Sequence, residues 1–559
     1  MLKLVECVPN FSEGKNLQVI EAIVDEIRDT EDVKLLDVDP GADTNRTVVT
    51  FIGSPEGVKE AAFRAIKKAA ELIDMRHHKG EHARMGATDV CPFVPVSGVT
   101  MEDCVQIAKE VGERVAAELG IPVYLYEEAA TRPERKSLAD IRKGEYEGLP
   151  EKLKDPEWKP DFGEAIFNEK SGATVIGARE FLIAYNVNLN TRDRKLAHDI
   201  ALTIREAGRA KRDAAGKIIR DADGKAVKVP GRLQACRAVG WYIDEYSQAQ
   251  VSMNLINYKI TPPHLAFDVV CEEAEKRGLR VTGSELVGLI PLQAMLDAGR
   301  HYLLKQGKSP GVPEEDLIEA AVVSMGLRDV SEFDPAKKII EYQVREAKGP
   351  LVKMDLRDFA NELSSESPAP GGGSVSALAG ALASSLSGMV ANLTSGKKSY
   401  ESVWEEMNET AVEAQHLKDE LLRNVDRDTE AFNQLMAAFS MKKKTEEQIA
   451  LRNDAIENAT KFACEVPLSV MEFSVKVLQL AKVVAEKGND NAASDAGVSA
   501  LMARSAVYGA GLNVKINLPG IQDSEFVEKM KYRVDELLTE AEKLQSEVLE
   551  IVNKKIESM

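Results

Sequence analysis

Residues 339–374 read IIEYQVREAKGPLVKMDLRDFANELSSESPAPGGGS, and the character of the chain changes inside them. Up to residue 344, short apolar runs alternate with charged amphipathic ones, as strands and helices do in mixed layers. The polar, Gly-Pro-containing stretch 345–353 reads as a linker. From residue 354 to 559 almost every apolar residue recurs at helical spacing, which predicts an all-α helix-bundle domain. The fold class is therefore an α+β N-terminal part joined to an all-α C-terminal bundle.

Upstream, the rhythm LVECV, helix 17–28, VKLLDVD, TVVTFIG, helix 57–75 and IPVYLY predicts one sheet-plus-helix lobe. GATVIGAREFLIAYNVNL (172–189) reads as a loop and a long strand that opens a second cycle. In that cycle helix 193–210, strand-like VGWYIDEYSQAQVSMNLI, helix 264–276 and a closing strand 339–344 follow. The expected lobes are 1–181 and 182–344, divided near Phe181. DAAGKIIRDADGKAVKVPG (213–231) carries two turn signals and reads as a solvated hairpin insertion without chemistry. Downstream, MDLRDFANEL is a short amphipathic helix and PAPGGGS a breaker. Helices are expected over 375–393, 400–441, 445–462, 468–486, 494–508 and from 523 to the end.

The 559 residues exceed one core, and 72 basic against 91 acidic side chains leave a formal charge of −19. That balance argues against nucleic acid or an anionic membrane as partner, so an anionic ligand needs a local basic pocket. Cys7, Cys91, Cys104, Cys236, Cys271 and Cys464 lie far apart with no CxxC pair. Neither a disulfide framework nor a zinc ribbon is indicated, and a reducing, cytoplasmic location is expected. No apolar run of signal-peptide length precedes Glu6 and Pro9. Residues 371–394 carry no ionisable side chain, but are mostly Gly, Ala and Ser; the expected role is a tightly packed helix rather than a membrane span.

Three of the seven histidines cluster in MRHHKGEHARMG as His77, His78 and His82. His78 and His82 are spaced i, i+4, as helical zinc ligands are, but Gly80 intervenes and no third ligand follows, so no metal is expected. His77 and His78 read as structural or surface residues at a helix end. His82 sits in a loop leading into the strand DVCPFVPV. Its residues leave two readings open: a general acid/base, for which an imidazole suits neutral pH, or a surface histidine.

VECVPNFSEGKN (5–16), LLDVDPGADTNRTVVTFIG (35–53), KGEHARMGATDVCPFVPV (79–96) and GATVIGAREFLIAYNVNL resemble glutamate formiminotransferase. APGGGSVSALAGALASSLSGMV (369–390) resembles the formiminotetrahydrofolate cyclodeaminase domain. In this order, over nearly the whole chain, the motifs are similar to the bifunctional formiminotransferase-cyclodeaminase family. The resemblance implies transfer of a formimino group from N-formimino-L-glutamate to tetrahydrofolate, then closure to 5,10-methenyltetrahydrofolate with release of ammonia. It implies His82 as the acid/base of transfer. Folate is expected along Gly163, Glu164, Ala165, Ile166, Phe167, Asn168, Glu169, Lys170, Ser171 and Gly172, a segment that otherwise reads as a plain surface connection. Tetrahydrofolate, with a glutamate tail often extended, is the implied co-substrate, and a homo-oligomer the implied assembly. The alternatives are a glutamate formyltransferase and a non-catalytic folate-binding protein. Both substrates are anionic, and Arg46, Lys79, Arg84, Lys170 and Arg179 fall in or beside the motifs as candidate carboxylate partners. Asp39 reads as a turn residue or as a group orienting the histidine.

In the helical part, Leu417, Leu421, Val425, Phe432, Met436 and Phe439 form an apolar stripe. Asp428 falls within its gap of seven, three residues after Val425 and four before Phe432, whereas Asp426 points elsewhere. A carboxyl on an apolar face has a raised pKa and can exchange a proton near neutrality. The other reading is a buried carboxyl satisfied structurally, by Arg504 for example. The resemblance assigns Asp428 to the family's V-D-x-D pattern as the acid/base of ring closure. PGGGS (370–374) reads as an anion-holding helix start or as a plain capped one. Lys442, Lys443 and Lys444 complement a helix C-terminus or attract a glutamate tail. Asp495 reads as a helix-start residue.

Overall fold

The structure, a computed structural model, describes residues 3–42, 44–80, 83–344 and 349–559. The chain divides into two compact units, Met1–Ala294 with Met325–Val344, and Met295–Ser324 with Arg345–Met559.

The first unit opens with β1 (Leu4–Cys7), β2 (Asn10–Phe11), α1 (Leu17–Arg28), β3 (Val33–Gly41), β4 (Arg46–Gly53) and α2 (Pro55–Leu72). β5 (Thr88–Ser97), α3 (Met101–Leu119), β6 (Val123–Glu127), the short α4 (Leu138–Ile141) and α5 (Glu145–Lys152), and β7 (Thr174–Ala178) complete the first lobe. β3 pairs with β4, β4 with β1 and β2, and β5 with both of these, all antiparallel; β7 and β6 then add in parallel. The helices form because their apolar residues fall on one stripe and their first N–H groups are capped. Asn16 accepts from the Gln18 and Val19 amides, and Thr100 with Asp103 forms a reciprocal capping box. Ile23, Val24, Ala62, Ile66, Val111 and Val115 press on one sheet face with almost no exposure. The other face, near β6 and β7, is covered by Ile141, Leu149 and Leu153. Asp39, a candidate turn residue, lies instead within β3, paired with Val48. Pro40 sits at that edge strand, where a missing N–H is tolerated.

The second lobe holds β8 (Ile183–Leu189), α6 (Arg194–Ile204), the two-residue β9 (Arg209–Ala210) and β10 (Lys228–Val229), β11 (Cys236–Ile243), β12 (Gln248–Leu255), α7 (Pro263–Glu275) and β13 (Val281–Val287). Its four strands run antiparallel in the order β11-β12-β8-β13, with α6 and α7 on the face that buries Tyr185, Val187, Val251 and Met253. The helix expected over 193–210 ends at Ile204, because Arg209 and Ala210 pair with Val229 and Lys228 to close the insertion. The strand expected over 339–344 is absent. α10 (Pro335–Lys338) and α11 (Ile340–Val344) occupy that stretch, and only Ile339 makes a single bridge, to Ile290. A six-residue apolar run does not separate strand from helix by periodicity, and the Asp334 cap with Pro335 starts a helical course.

Between them, α8 (Leu292–Lys305) and α9 (Glu314–Met325) contribute Met295–Ser324 to the second unit. In sequence this segment lies inside the expected second lobe, 182–344. It goes with the helices because the Gly311 carbonyl accepts from Asn392 Nδ2 (2.7 Å) and Gln415 Nε2 (3.2 Å). The helices are α12 (Leu356–Leu363), α13 (Gly372–Thr394), α14 (Trp404–Ser440), α15 (Glu446–Lys487), α16 (Ala493–Asn517) and α17 (Ser524–Ser558). α13 lies centrally against α14, α15 and α16, and α17 packs on α15 and α16. Although α13 is long and apolar enough by length and composition to cross a membrane, 61% of that window is buried inside the protein. Its Ser384 hydroxyl donates to the Ala414 carbonyl and Ser387 meets Ser499 at 2.8 Å, so small polar residues serve close helix packing.

Two expected helices, 445–462 and 468–486, are one. α15 runs through Pro467, which is buried. Proline cannot donate to the carbonyl four residues earlier, and Asn517 Nδ2 donates to that Ala463 carbonyl instead, at 3.1 Å. A side chain remote in sequence thus removes the reason for the break.

Candidate functional sites

Three of the first lobe's motifs converge on Asn45. Its Oδ1 accepts from the Gly14 amide (3.0 Å), its Nδ2 donates to the Lys79 carbonyl (2.9 Å), and its own carbonyl meets His78 Nε2 at 2.9 Å. Asn45 has a left-handed φ of 48°, which asparagine tolerates better than most residues. Arg84 Nε donates to His78 Nδ1 (3.2 Å), so Nε2 carries the proton given to Asn45. Both ring nitrogens of His78 are engaged, in keeping with a structural histidine. Arg84 itself is buried and forked onto Glu147, at 2.6 and 2.8 Å, and onto Glu145 at 2.8 Å. Those bonds, with Glu147 foremost, hold its guanidinium above the usual arginine range. Arg84 is therefore committed to the protein's own carboxylates.

His78, Arg84, Glu145 and Glu147 line an open cleft of about 620 Å³, together with Arg76, Lys79, Gly80 and Tyr146. The lining reaches Gly80 and resumes at Arg84; Glu81 and His82, the expected acid/base, lie outside the described residues. The segment 163–172 is stitched beside this loop. Met75 N donates to the Lys170 carbonyl, Ala87 N to the Ser171 carbonyl and Ala173 N to the Met85 carbonyl, at 2.9 to 3.1 Å. Asn168 Oδ1 accepts from Ser171 N, Phe167 packs on Tyr146 with ring centroids 5.4 Å apart, and Tyr146 Oη donates to the Glu169 carbonyl. Gly163, Glu164, Ala165 and Ile166 are exposed, Ile166 by 64%. The expected folate segment thus adjoins Met75, Met85 and Ala87, in the described stretches that precede and follow the histidine motif.

The candidate carboxylate partners separate. Lys170 Nζ donates to the Glu71 carbonyl and Arg179 to the Glu180 carbonyl, while Lys79 stays exposed on the cleft. Arg46 is half-buried and donates to Asn10 Oδ1 at 2.8 Å. Burial, then the neighbouring Arg142 cation, lowers its pKa. Arg142 pairs with fully buried Asp89, whose other oxygen accepts from Met85 N at 2.8 Å. Arg46 and Arg142 are close enough to interact, with the Asp89 and Asp39 carboxylates beside them. Asn45 and Arg142 went unnoticed in the sequence; Asn45 adjoins Arg46 in a motif, whereas IRKGEYEG gives Arg142, Glu145 and Glu147 no periodic or motif signal.

Glu6, in the opening motif, is 4% exposed, and burial pushes its carboxyl up to about 7 against the opposing pull of Arg179. The folded pKa lies above the ordinary 4.5, so the bound proton stabilises fully below about pH 4.5, and that stability is lost as pH rises through about 7. Glu6→Gln is expected to flatten this dependence, worth on the order of 3 kcal/mol. The thermal midpoint of the full-length variant against pH is the measurement; a slope unchanged from the parent would contradict it.

In the helical unit, α14 buries Leu417, Leu421 and Val425, but Met436 and Phe439 are 50% and 47% exposed. Beyond Asp428 the buried positions of α14 are Ala431 and Ala438 instead, so the expected stripe turns toward solvent part-way. Asp428 stands where it surfaces, half-buried. Its Oδ2 accepts from the Ser374 amide (2.9 Å) and hydroxyl (3.2 Å), at the start of α13. The same hydroxyl reaches the Val425 carbonyl at 2.8 Å. A Cβ on Gly373 would lie 2.0 Å from Asp428 Oδ1, so glycine is required for this approach. Burial raises the Asp428 pKa, opposed by the bonds to Ser374. Among the described residues no ion pair to Asp428 is formed. Arg504 is turned to Tyr508, 4.5 Å from its ring, and to Glu542 at 3.9 Å. Asp426, read as pointing elsewhere, is buried and accepts from Leu351 N (2.9 Å) and Val352 N (3.3 Å).

Family models match in series: the formiminotransferase domain, N-terminal subdomain, over residues 4–179, the formiminotransferase domain over 184–345, and formiminotransferase-cyclodeaminase over 355–536. Formimidoyltransferase-cyclodeaminase from Dictyostelium discoideum is 45% identical over 561 residues, covering 100% of both chains. The protein of that name from Gallus gallus is 46% identical over 99% of this chain and 100% of its own. Glutamate formimidoyltransferase from Streptococcus pyogenes is 44% identical over 54% of this chain and 94% of its own. A cleft of glycine-bearing loops in one unit, an uncompensated carboxyl in the other, and full-length similarity across both place this chain in the formimidoyltransferase-cyclodeaminase family.

Proposed function

We infer that this enzyme transfers the formimino group of N-formimino-L-glutamate to tetrahydrofolate and then closes 5-formiminotetrahydrofolate to 5,10-methenyltetrahydrofolate, releasing ammonia. The observation that carries the second step is Asp428, a desolvated carboxyl with no counter-cation among the described residues. In transfer, folate N5 attacks the amidine carbon and loses its proton; the glutamate nitrogen leaves with one. One histidine does both in turn, and His82, in the GEH motif that the family resemblance singles out, is assigned that role. The segment from Gly163 to Gly172 is assigned to folate, and Arg46 with Arg142 to a substrate carboxylate, the pair being suited to forked contacts. In ring closure, N10 attacks the formimino carbon, and Asp428 takes the N10 proton and returns one to the departing ammonia. The scheme calls for no metal.

A folate with an extended glutamate tail suits a cleft whose rim carries Arg76 and Lys79. The apolar residues left uncovered on α13 (Leu382, Met389, Leu393) and α16 (Leu501, Leu512, Ile516) support a homo-oligomer. Six free thiols support a reducing, cytoplasmic setting. The test is spectrophotometric: methenyltetrahydrofolate is expected to form from formiminoglutamate and tetrahydrofolate with equimolar ammonia. Faster turnover of formylglutamate would overturn the donor, and no turnover of either would favour a binding protein.

A further inference from the structure

Asp426 and Asp428, two residues apart on α14, each hold backbone N–H groups of one chain segment, at its opposite ends. At the near end Asp426 takes the Leu351 and Val352 amides on its two oxygens, and it is only 7% exposed. Gly349 lies so close that a Cβ there would fall 2.0 Å from the Asp426 Cγ. At the far end Asp428 and the Val425 carbonyl take the Ser374 amide and hydroxyl. Residues i and i+2 of a helix point about 200° apart, so the segment starts on one flank of α14 and finishes on the other. Between its ends it is held lightly. α12 has no buried residue, Leu356 is 86% exposed, and after Leu351 only half-buried Val352, Met354 and Phe359 touch the core.

We propose that Asp426 is a positioning residue for ring closure: it anchors residues 349–374 as a strap whose other end presents Gly373 and Ser374 to Asp428, and which closes over the folate substrate bound there. The proposal rests on the assignment of ring closure to Asp428. Desolvated carboxylates that accept two amides are strong, directional anchors, and a strap released at its Asp426 end would lose its course over the site while Ser374, buried in α13, keeps its bond to Asp428. An ångström of misplacement in a segment that positions substrate costs up to about a hundredfold.

The test uses the full-length protein and 5-formiminotetrahydrofolate. Asp426→Ala is expected to raise KM roughly 10- to 100-fold with a smaller fall in kcat. Transfer and the pH profile of ring closure are expected to stay as in the parent, and trypsin to cut faster at Lys353 and Arg357. Asp426→Asn, whose amide oxygen replaces one acceptor of the two, is expected to fall between. Gly349→Ala, which forces the strap off an intact Asp426, is expected to raise KM as Asp426→Ala does. Parental KM and tryptic rates in Asp426→Ala overturn the proposal. So does a melted Asp426→Ala paired with a Gly349→Ala variant of parental KM, since the strap would then have no part in binding. An active Asp428→Asn variant would instead sink the site assignment, a separate result.

Discussion

Asp428→Asn is expected to stop ring closure while leaving formimino transfer at the parental rate, so that 5-formiminotetrahydrofolate accumulates. A positioned acid/base contributes roughly 10²- to 10⁴-fold, and loss in that range is the expected size. Asparagine keeps the shape and still accepts from the Ser374 amide and hydroxyl, which isolates the proton from the packing. Burial raises the Asp428 pKa, so the protonated form, which delivers a proton to departing ammonia, persists to higher pH than in an ordinary aspartate. The sign follows: Asp428 must start as the carboxylate that takes the N10 proton, so the rate of ring closure falls as pH drops through that raised pKa, and the fall disappears in the residual activity of Asp428→Asn. Steady-state assay of each half-reaction against pH is the check. Ring closure by Asp428→Asn at the parental rate would sink the assignment.

His82→Ala is expected to do the reverse: transfer from formiminoglutamate falls by a similar roughly 10²- to 10⁴-fold, while supplied 5-formiminotetrahydrofolate is still closed. The neighbouring His78 is not free to take that role. His78 has both nitrogens spent, on Asn45 and Arg84, and Arg84 is spent on Glu145 and Glu147. Those contacts brace the loop on either side of position 82 without supplying a proton carrier. Exogenous imidazole restoring part of the lost rate would mark the defect as chemical. Full transfer activity in His82→Ala would return the role to another group of the cleft.

Fold class was legible in the sequence because the hydrophobic period changes from mixed to helical across residues 345–353, and burial follows period. Helix ends and continuity were less so. Pro467 reads as a break, and only Asn517, fifty residues on, relieves the carbonyl that proline orphans. The run IIEYQV was too short for its period to decide, and became α11. At the sites, periodicity set Asp428 on the stripe. It did not show that the stripe turns toward solvent just beyond, where Ala431 and Ala438 are the buried positions instead.

By itself the sequence determined the architecture, the presence of a lone loop histidine and a lone stripe carboxylate, and the need for a basic pocket, since these follow from spacing, composition and charge. Tertiary structure alone decided which charges were already spent. Arg84, Lys170 and Arg504 read as available, and each is committed to a partner 38 to 99 residues away. Hydrogen bonds and ion pairs act over a few ångströms of space rather than along the chain, so the partner of a side chain is fixed only once the chain is folded.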